Sequence, residues 1–409
     1  MTDISSFIDS LLIVRASPAS FARPAMTLSL IMTIVIYFII IVNNMNSYNC
    51  VVLNGRFLEQ KITGVQRFAL ESVKELDNLI EKNHEEIPYI LAVSKNVKSE
   101  NIPPLKNIKV QTIGRKKGIL WAQTDLSKFI RKQHALGVHL CNAVPLAGVP
   151  GIVCIHDISY KIHPEFVTTK KHQLIRLWHL IQNRVSIKKS LAVLTVSETS
   201  KKEICDVYKI PGDKVTVVYN GWQHFDNTVP DDVTMDRFPE LKAGHFFYSM
   251  SSLGKNKNFR WILEAARRNP DKTFAIAGNN DLKKYGDTFS EGGNKLTNVH
   301  YLGYVKDEEA KLLMKNCRAF IFPSIYEGFG IPPMEALAMG AKVICSNASC
   351  LPEIFKNSVY YINPYDYDVD LDKLLSGNVE PAENVLNLYS WQKTSEKIYN
   401  VIKQTLENK

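Results

Sequence analysis

The chain of 409 residues is long enough for two domains of ordinary size. Its apolar fraction of 45% and charged fraction of 22% are those of a globular protein. A net charge of +9 favours anionic partners such as phosphate groups or an acidic lipid leaflet. No nucleic-acid-binding motif surrounds the longest basic cluster, Arg115 to Lys117, so nucleic acid is not an expected partner.

The seven cysteines include no pair with Cys-x-x-Cys spacing, and their number is odd. Both facts argue against a disulfide framework and against a structural zinc site. We therefore expect reduced thiols, most of them in the core, and a reducing compartment.

The first 47 residues form an extension with an apolar run at 26–42, which carries no charge. Its 17 residues are at the lower limit for a membrane span. Three interpretations stay open: a membrane anchor, a secretory signal, or a start assigned too early, with the true start at Met45. As an anchor, with Arg15 and Arg23 upstream, the run would place the body outside the cytoplasm.

From Tyr48 onward, short apolar runs alternate with segments of helical periodicity. Up to residue 225 the pattern predicts strands at 50–53, 89–93, 108–113, 152–155 and 191–196, and helices at 63–78 and after Ser197. It then restarts and predicts strands at 246–250, 273–277, 299–302, 319–322 and 342–345, and helices at 258–268, 307–316, 332–339 and 391–406.

Such alternation is typical of parallel sheets with crossover helices. Two successive runs therefore predict an α/β protein with two Rossmann-like, doubly wound domains. The predicted bounds are 48–225 for the first domain, 226–385 for the second and 386–409 for a C-terminal helix that packs back toward the first. Ligands bind beyond the carboxyl ends of strands in these sheets, so we expect the site in the cleft between the domains.

The strongest chemical signal is Glu327-Gly-Phe-Gly-Ile-Pro-Pro-Met-Glu335, in which two carboxylates bracket a glycine turn and a helix start. Pro332 and Pro333 suit the first helical turn, whose amides lack intrahelical partners. Free amides and the helix dipole attract anions, so the turn predicts a diphosphate site. Glu335, expected on the first turn, could accept hydrogen bonds from ribose hydroxyls. The alternative is that both glutamates only favour a helix N-terminus.

This segment resembles the Glu-x7-Glu signature of the retaining glycosyltransferases with the GT-B fold, especially family four. Several flanking motifs match that family in the same order: Phe322-Pro323-Ser324, Ala338-Met339-Gly340, Leu351-Pro352-Glu353-Ile354, the basic loop Gly254 to Asn258, and Asn220-Gly221. Others resemble a branch that assembles bacterial capsule, exopolysaccharide or O-antigen: Asn54 to Leu58, Thr63 to Arg67, Leu140 to Asn142, His156-Asp157 and Val196-Ser197. The resemblance covers roughly residues 50 to 400 and implies GT-B architecture, with two Rossmann-like domains facing a cleft.

The resemblance implies a donor site in the second domain. Glu327 would contact hydroxyls of the donor sugar, Glu335 would bind the ribose, and Lys257 would neutralise the diphosphate. The backbone amides that would hold sugar and diphosphate are those of Gly328, Phe329, Gly330 and Ile331.

The resemblance also implies roles for residues of the first domain. Gly64 would bring its loop against the β-phosphate or the acceptor, and Arg67 would either help there or be an ordinary exposed arginine. His156 would lie near the sugar or the acceptor as a candidate catalytic group. Asn220 belongs to the Asn-Gly pair that closes the domain and is a candidate substrate contact.

The chain departs from the family pattern at its phosphate contacts. The first loop has Gly64 alone where many members have two glycines, and Asn256 stands where many have arginine. Ser251 or Ser252 falls where some relatives have a diphosphate-binding arginine. These departures predict that phosphate binding depends more heavily on Lys257.

The function implied is transfer of a hexose, with retention, from a nucleotide-diphosphate sugar to a glycan or lipid-linked glycan in surface polysaccharide synthesis. No metal or other cofactor is expected. The resemblance and the basic charge together suggest the cytoplasmic face of the inner membrane. Two other classes stay open: a nucleotide-sugar epimerase of the same fold, and a non-catalytic, membrane-tethered sugar-nucleotide-binding protein.

Overall fold

The computed structural model describes residues 48–148, 151–167, 169–226, 228–229, 234–241, 244–250, 254–278 and 296–408. The apolar run at 26–42, Met45, Ser251 and Ser252 lie outside these ranges, so the interpretations placed on them stay predictions. Within the described ranges, no helix combines the length and the apolar character that a membrane crossing needs.

The described residues form two parallel sheets, one of seven strands and one of six. The first has the order β3-β2-β1-β4-β5-β6-β7 and consists of β1 (Cys50–Asn54), β2 (Tyr89–Val93), β3 (Ile108–Thr112), β4 (Ala135–His139), β5 (Ile152–Cys154), β6 (Ala192–Thr195) and β7 (Val215–Val217). The second has the order β10-β9-β8-β11-β12-β13 and consists of β8 (Phe246–Met250), β9 (Thr273–Ala277), β10 (Val299–Gly303), β11 (Ala319–Phe322), β12 (Val343–Ser346) and β13 (Tyr360–Ile362). Two doubly wound parallel sheets confirm the predicted fold class.

Helices connect these strands. In the first part of the chain they are α1 (Gly64–Lys82), α2 (Gly118–Trp121), α3 (Ser127–Gln133), α4 (Ser159–Ile162), α5 (Lys170–Lys189) and α6 (Glu198–Tyr208). In the second part they are α7 (Thr234–Arg237), α8 (Phe259–Arg268), α9 (Asp307–Asn316), α10 (Ile331–Ala338), α11 (Leu351–Phe355), α12 (Leu371–Leu375), α13 (Glu383–Leu386) and α14 (Trp391–Glu407). Helix α6 begins directly after Ser197, as predicted, and Ser197 caps it, because its side chain accepts a hydrogen bond from the amide of Ser200.

The sheets form where the sequence is apolar on both strand faces. All five residues of β2 are buried, and so are four of the five in β1 and in β8. Helices on both sides of a parallel sheet require this continuous apolar character. The division proposed at residue 225 stays a prediction: the first sheet ends at Val217 and the second begins at Phe246.

The C-terminal helix α14 packs against α1 of the first domain. Ser395 Oγ donates to the carbonyl of Ser72 at 3.2 Å, and Tyr399 OH donates to Glu85 Oε2 at 2.7 Å. Lys403 Nζ lies 3.0 Å from the same carboxylate. The chain therefore crosses back to its first domain after completing the second.

Each sheet reverses its strand order at one point, between β1 and β4 in the first and between β8 and β11 in the second. Loops at the carboxyl ends of strands diverge at such a point and leave a crevice for ligands. The Lys257 loop follows β8, and the Glu327 segment follows β11. The fold therefore brings these two predicted site regions to one crevice.

His139 ends β4 with a wholly buried ring, and burial lowers its pKa to about 4. Below a pH of about 6.5 the histidine is protonated in the unfolded chain but stays neutral in the folded chain. The free energy of unfolding therefore falls as the pH falls. We expect a loss of about 2 kcal/mol at pH 5 from this group. Urea unfolding at pH 7 and pH 5 measures it. The His139→Gln variant should lose less stability on acidification, whereas His172→Gln, at an exposed histidine, should behave as the parent; equal losses in all three would contradict the prediction.

Candidate functional site

Lys257 and Glu327 meet as an ion pair at the crevice of the second sheet. Lys257 Nζ lies 2.6 Å from Glu327 Oε1, and the two side chains are 29% and 12% exposed. The loops that carry them are joined, since the amide of Ile325 donates to the Asn256 carbonyl at 2.7 Å. The buried Asn258 amide group donates to the carbonyl of Pro323 at 3.1 Å. A lysine and a glutamate are thus held together at one point of the crevice.

The glycines between the two glutamates form a tight turn into α10. Gly330 has φ of +95°, a left-handed conformation that favours glycine, and Pro332 and Pro333 fall in the first turn as predicted. A Cβ on Gly328 would lie 2.5 Å from the carbonyl oxygen of His156, so the turn touches the first domain's backbone. The N-terminus of α10 is therefore presented at the junction of the domains.

Glu335 belongs to a buried hydrogen-bond chain that the sequence analysis did not anticipate. It is the fifth residue of α10, one place beyond the first turn on which we expected it. Its Oε1 lies 2.8 Å from Nε2 of His224, and both side chains are buried. Trp391 Nε1 donates to His224 Nδ1 at 3.0 Å.

This chain of contacts fixes the tautomer of His224. An indole N–H only donates, so Nδ1 of His224 accepts and Nε2–H donates to Glu335. The sequence did not single out His224, because a lone histidine after a strand has no recognisable spacing. Its role here is to orient Glu335, the predicted ribose contact, through a link to the first residue of α14.

The N-terminus of α1 faces the N-terminus of α10. A Cβ on Gly64 would lie 3.5 Å from Ile331 Cδ1, an ordinary van der Waals distance. Thr63 caps α1 together with Gln66 in a capping box. Two helix N-termini thus approach the same space from the two domains, which favours an anion between them.

Arg67 connects the domains. Its guanidinium pairs with Asp307 of α9 and lies 3.8 Å from Glu71, and its side chain is 15% exposed. It is therefore neither an ordinary exposed arginine nor a cation left open to solvent. The substrate role suggested for it stays a prediction.

His156 is buried beside the glycine turn. Its Nε2 contacts the carbonyl oxygen of Leu140 at 2.9 Å, and its amide donates to Asn142 Oδ1 at 2.8 Å. Burial lowers the pKa of the ring, which favours the neutral form. A neutral ring whose Nε2–H is taken by Leu140 is poorly placed to donate a proton. The structure therefore supports a fixed, orienting imidazole better than a general acid.

Phe329 and Asn220 are both buried. The Phe329 ring meets the Tyr389 ring edge-on at 5.4 Å between centroids. Asn220 is buried, and its Oδ1 has no hydrogen-bond partner among the described residues. The neighbouring Gly221 is confined, because a Cβ there would lie 2.2 Å from the Trp391 amide nitrogen. The substrate contacts predicted for both residues remain predictions.

A cavity of about 640 Å³ opens between the two domains beside Lys257, and its lining includes neither Glu327 nor Glu335. Thr63 and Asp157 line it from the first domain, and Lys257 lines it from the second. It also takes in three histidine side chains, His163, His172 and His179. Its size suits a drug-sized ligand, and its lysines suit an anionic one. All seven cysteines are free thiols, and Cys50, Cys154, Cys345 and Cys350 are buried.

Two family models match the chain. Glycosyltransferase Family 4 matches residues 62–223, and Glycosyl transferases group 1 matches residues 234–384. The chain is therefore a glycosyltransferase, and its first domain is similar to those of family four. Both models fall where the resemblance of the sequence motifs placed them, so an epimerase and a non-catalytic binding protein are set aside.

This glycosyltransferase is 25% identical over 346 residues to O-antigen chain mannosyltransferase B of Escherichia coli, across 76% of this chain and 86% of that protein. It is 26% identical over 365 residues to UDP-Gal:alpha-D-GlcNAc-diphosphoundecaprenol alpha-1,3-galactosyltransferase of Escherichia coli, across 80% of this chain and 87% of that protein. The crystal structure of Anabaena HepE in complex with UDP and glucose matches with a TM-score of 0.60 and 15% identity, across 87% of this chain and 99% of that chain. The likeness to HepE shows a shared GT-B fold.

Proposed function

We propose that this glycosyltransferase moves a hexose, with retention of configuration, from a nucleoside-diphosphate sugar to a lipid-linked glycan in surface polysaccharide synthesis. The observation that carries the proposal is the Lys257–Glu327 pair, whose lysine lines the cavity that Thr63, the N-cap of α1, also lines. This arrangement offers a cation and free amides to a diphosphate, and a carboxylate to sugar hydroxyls. The names of the two Escherichia coli relatives support a hexose and, for one of them, a lipid-diphosphate acceptor.

In the proposed reaction the bond between the sugar's anomeric carbon and the diphosphate oxygen breaks, and a bond to the acceptor's hydroxyl oxygen forms on the same face. The leaving diphosphate oxygen takes the proton from that hydroxyl. Lys257 stabilises the charge that develops on the diphosphate, and Glu327 holds the sugar through its hydroxyls. No side-chain base and no metal is needed for this proton balance.

Calorimetry with UDP, GDP and dTDP, with chelator present, tests the donor site. We expect one nucleotide to bind without metal, and Glu335→Ala to weaken it at least about tenfold because two ribose hydrogen bonds are lost. Glu86→Ala, at an exposed glutamate, is the matched control and should bind as the parent does. If the folded chain binds none of the three nucleotides, or binds all three equally with no effect of Glu335→Ala, the proposed donor site is wrong.

A further inference from the structure

Helix α5 (Lys170–Lys189) turns polar residues inward. Gln182, Asn183 and Ser186 are each no more than 5% exposed. The Gln182 amide group donates to the carbonyl of Val144, and the Val144 amide donates to Ser186 Oγ at 3.2 Å. Polar side chains thus attach this face of the helix to the first domain.

The opposite face of α5 is apolar and open. Leu174, Leu177 and Ile181 follow one another at i, i+3 and i+7, so they share a face, and they are 71%, 54% and 46% exposed. An ordinary surface helix buries its apolar stripe and exposes its polar residues. Helix α5 exposes these three apolar residues and buries three polar ones, so packing among the described residues does not account for its apolar face.

A second apolar segment adjoins this face. Ile119 and Leu120 in α2 are 45% and 58% exposed. Ile119 lines a cavity of about 620 Å³ together with Leu174 and Trp178 of α5. This cavity shares Thr63, Asn142 and His179 with the larger cavity between the domains. The apolar surface therefore borders the candidate site.

The segments that contain α2 and α5 carry the net positive charge of the chain. Residues 115–133 and 170–189 contain 12 of the 50 basic residues and one of the 41 acidic ones. Their net charge of +11 exceeds the +9 of the whole chain, so the remainder is slightly acidic. Exposed apolar side chains flanked by exposed Lys188 and Lys189 combine the two features by which proteins bind anionic bilayers.

We propose that the docking face, formed by Ile119, Leu120, Leu174, Leu177 and Ile181, rests on a bilayer that contains anionic lipid. A second copy of the chain is a poorer occupant, because it would bring two strongly basic surfaces together. The proposed docking depends only on this surface and not on the proposed function. Its meaning for the reaction does rest on the proposed function: the adjoining cavity would open at the bilayer, where a lipid-linked acceptor presents its glycan.

Vesicle flotation of the full chain tests the docking face, with phosphatidylcholine vesicles and with vesicles that also contain phosphatidylglycerol. The variant Leu174→Ser, Leu177→Ser, Ile181→Ser removes part of the face, and Val229→Ser, Val379→Ser, Leu388→Ser removes exposed apolar residues elsewhere. We expect the parent and the second variant to bind anionic vesicles at least about tenfold more tightly than neutral ones. The first variant should lose most of this binding, and high salt should weaken the binding of the parent.

Two outcomes overturn the proposal. In the first, binding is equal on both vesicle types and unchanged in the Leu174 triple variant, as expected if the run at 26–42 alone carries it. In the second, the triple variant alters only the oligomeric state, measured by sedimentation velocity, which would make the face an interface between copies. UDP, GDP or dTDP binding by the triple variant should equal that of the parent, which excludes misfolding. Failure of both proteins to bind nucleotide would count against the donor site and leave the docking result standing.

Discussion

Glutamine in place of Glu327 is expected to lower kcat by about two to three orders of magnitude. The change keeps the shape of the side chain but removes the charge that holds Lys257 Nζ at 2.6 Å. Lysine then loses its fixed position beside the diphosphate, and the sugar hydroxyls lose a charged acceptor. Turnover with the sugar of whichever nucleotide binds measures the effect.

Two further measurements test whether the loss of kcat in Glu327→Gln has this cause. Nucleotide binding to the Glu327→Gln variant should change much less than kcat, since the ribose contact is assigned to Glu335. Lys257→Met and the double variant complete a thermodynamic cycle, and a coupled pair should lose less in the double variant than the two single losses combined. If the Glu327→Gln variant keeps more than about a third of the parent kcat, Glu327 has no part in the reaction.

Alanine in place of Gly328 is expected to lower kcat/KM by about a hundredfold and to destabilise the fold by about 1–3 kcal/mol. Its Cβ would lie 2.5 Å from the His156 carbonyl oxygen and 3.3 Å from Val196 Cγ2. Backbone cannot yield as a flexible side chain does, so the motif must move away from the first domain. Thermal denaturation and steady-state kinetics measure the two effects.

Alanine variants of two other glycines serve as controls for Gly328→Ala. At Gly212 a Cβ would meet only Lys201 Cε at 3.9 Å, so Gly212→Ala should change neither quantity. At Gly64 the nearest atom is 3.5 Å away, so Gly64→Ala should keep the stability of the parent and lose activity only if a ligand approaches that backbone. A Gly328→Ala variant with the parent's stability and kinetics would show that the domains do not need this contact.

The sequence predicted the fold class and the region of the candidate site because both depend on local patterns. Strands buried on both faces produce apolar runs that periodicity detects, and β2, β8 and β9 have the predicted bounds. Helix α9 also has its predicted bounds, since acidic residues mark its first turn. The pair of Lys257 and Glu327 follows from two motifs that each follow a strand next to the same crevice.

Other features depend on contacts between distant residues, and the sequence did not show them. Strands β4, β7 and β13 were not predicted, since the latter two have three residues each and β4 carries Gly137 and His139. Helix α5 was missed because its inward polar face disturbs the usual pattern of amphipathic helices. The contact of His224 with Glu335 joins residues 111 positions apart, and no local spacing encodes it.

The return of α14 to α1 has a consequence for how the protein is made. Ile398 and Ile402 of the last helix are wholly buried in the same apolar cluster as Val73 and Leu76 of α1. A ribosome releases the chain from its N-terminus, so this partner of α1 emerges only after the whole second sheet has emerged. The first domain therefore keeps apolar surface exposed while the second domain is synthesised. We expect chaperones that bind nascent chains to bind α1 during this interval, and removal of α14 should lower solubility more than it weakens the donor site.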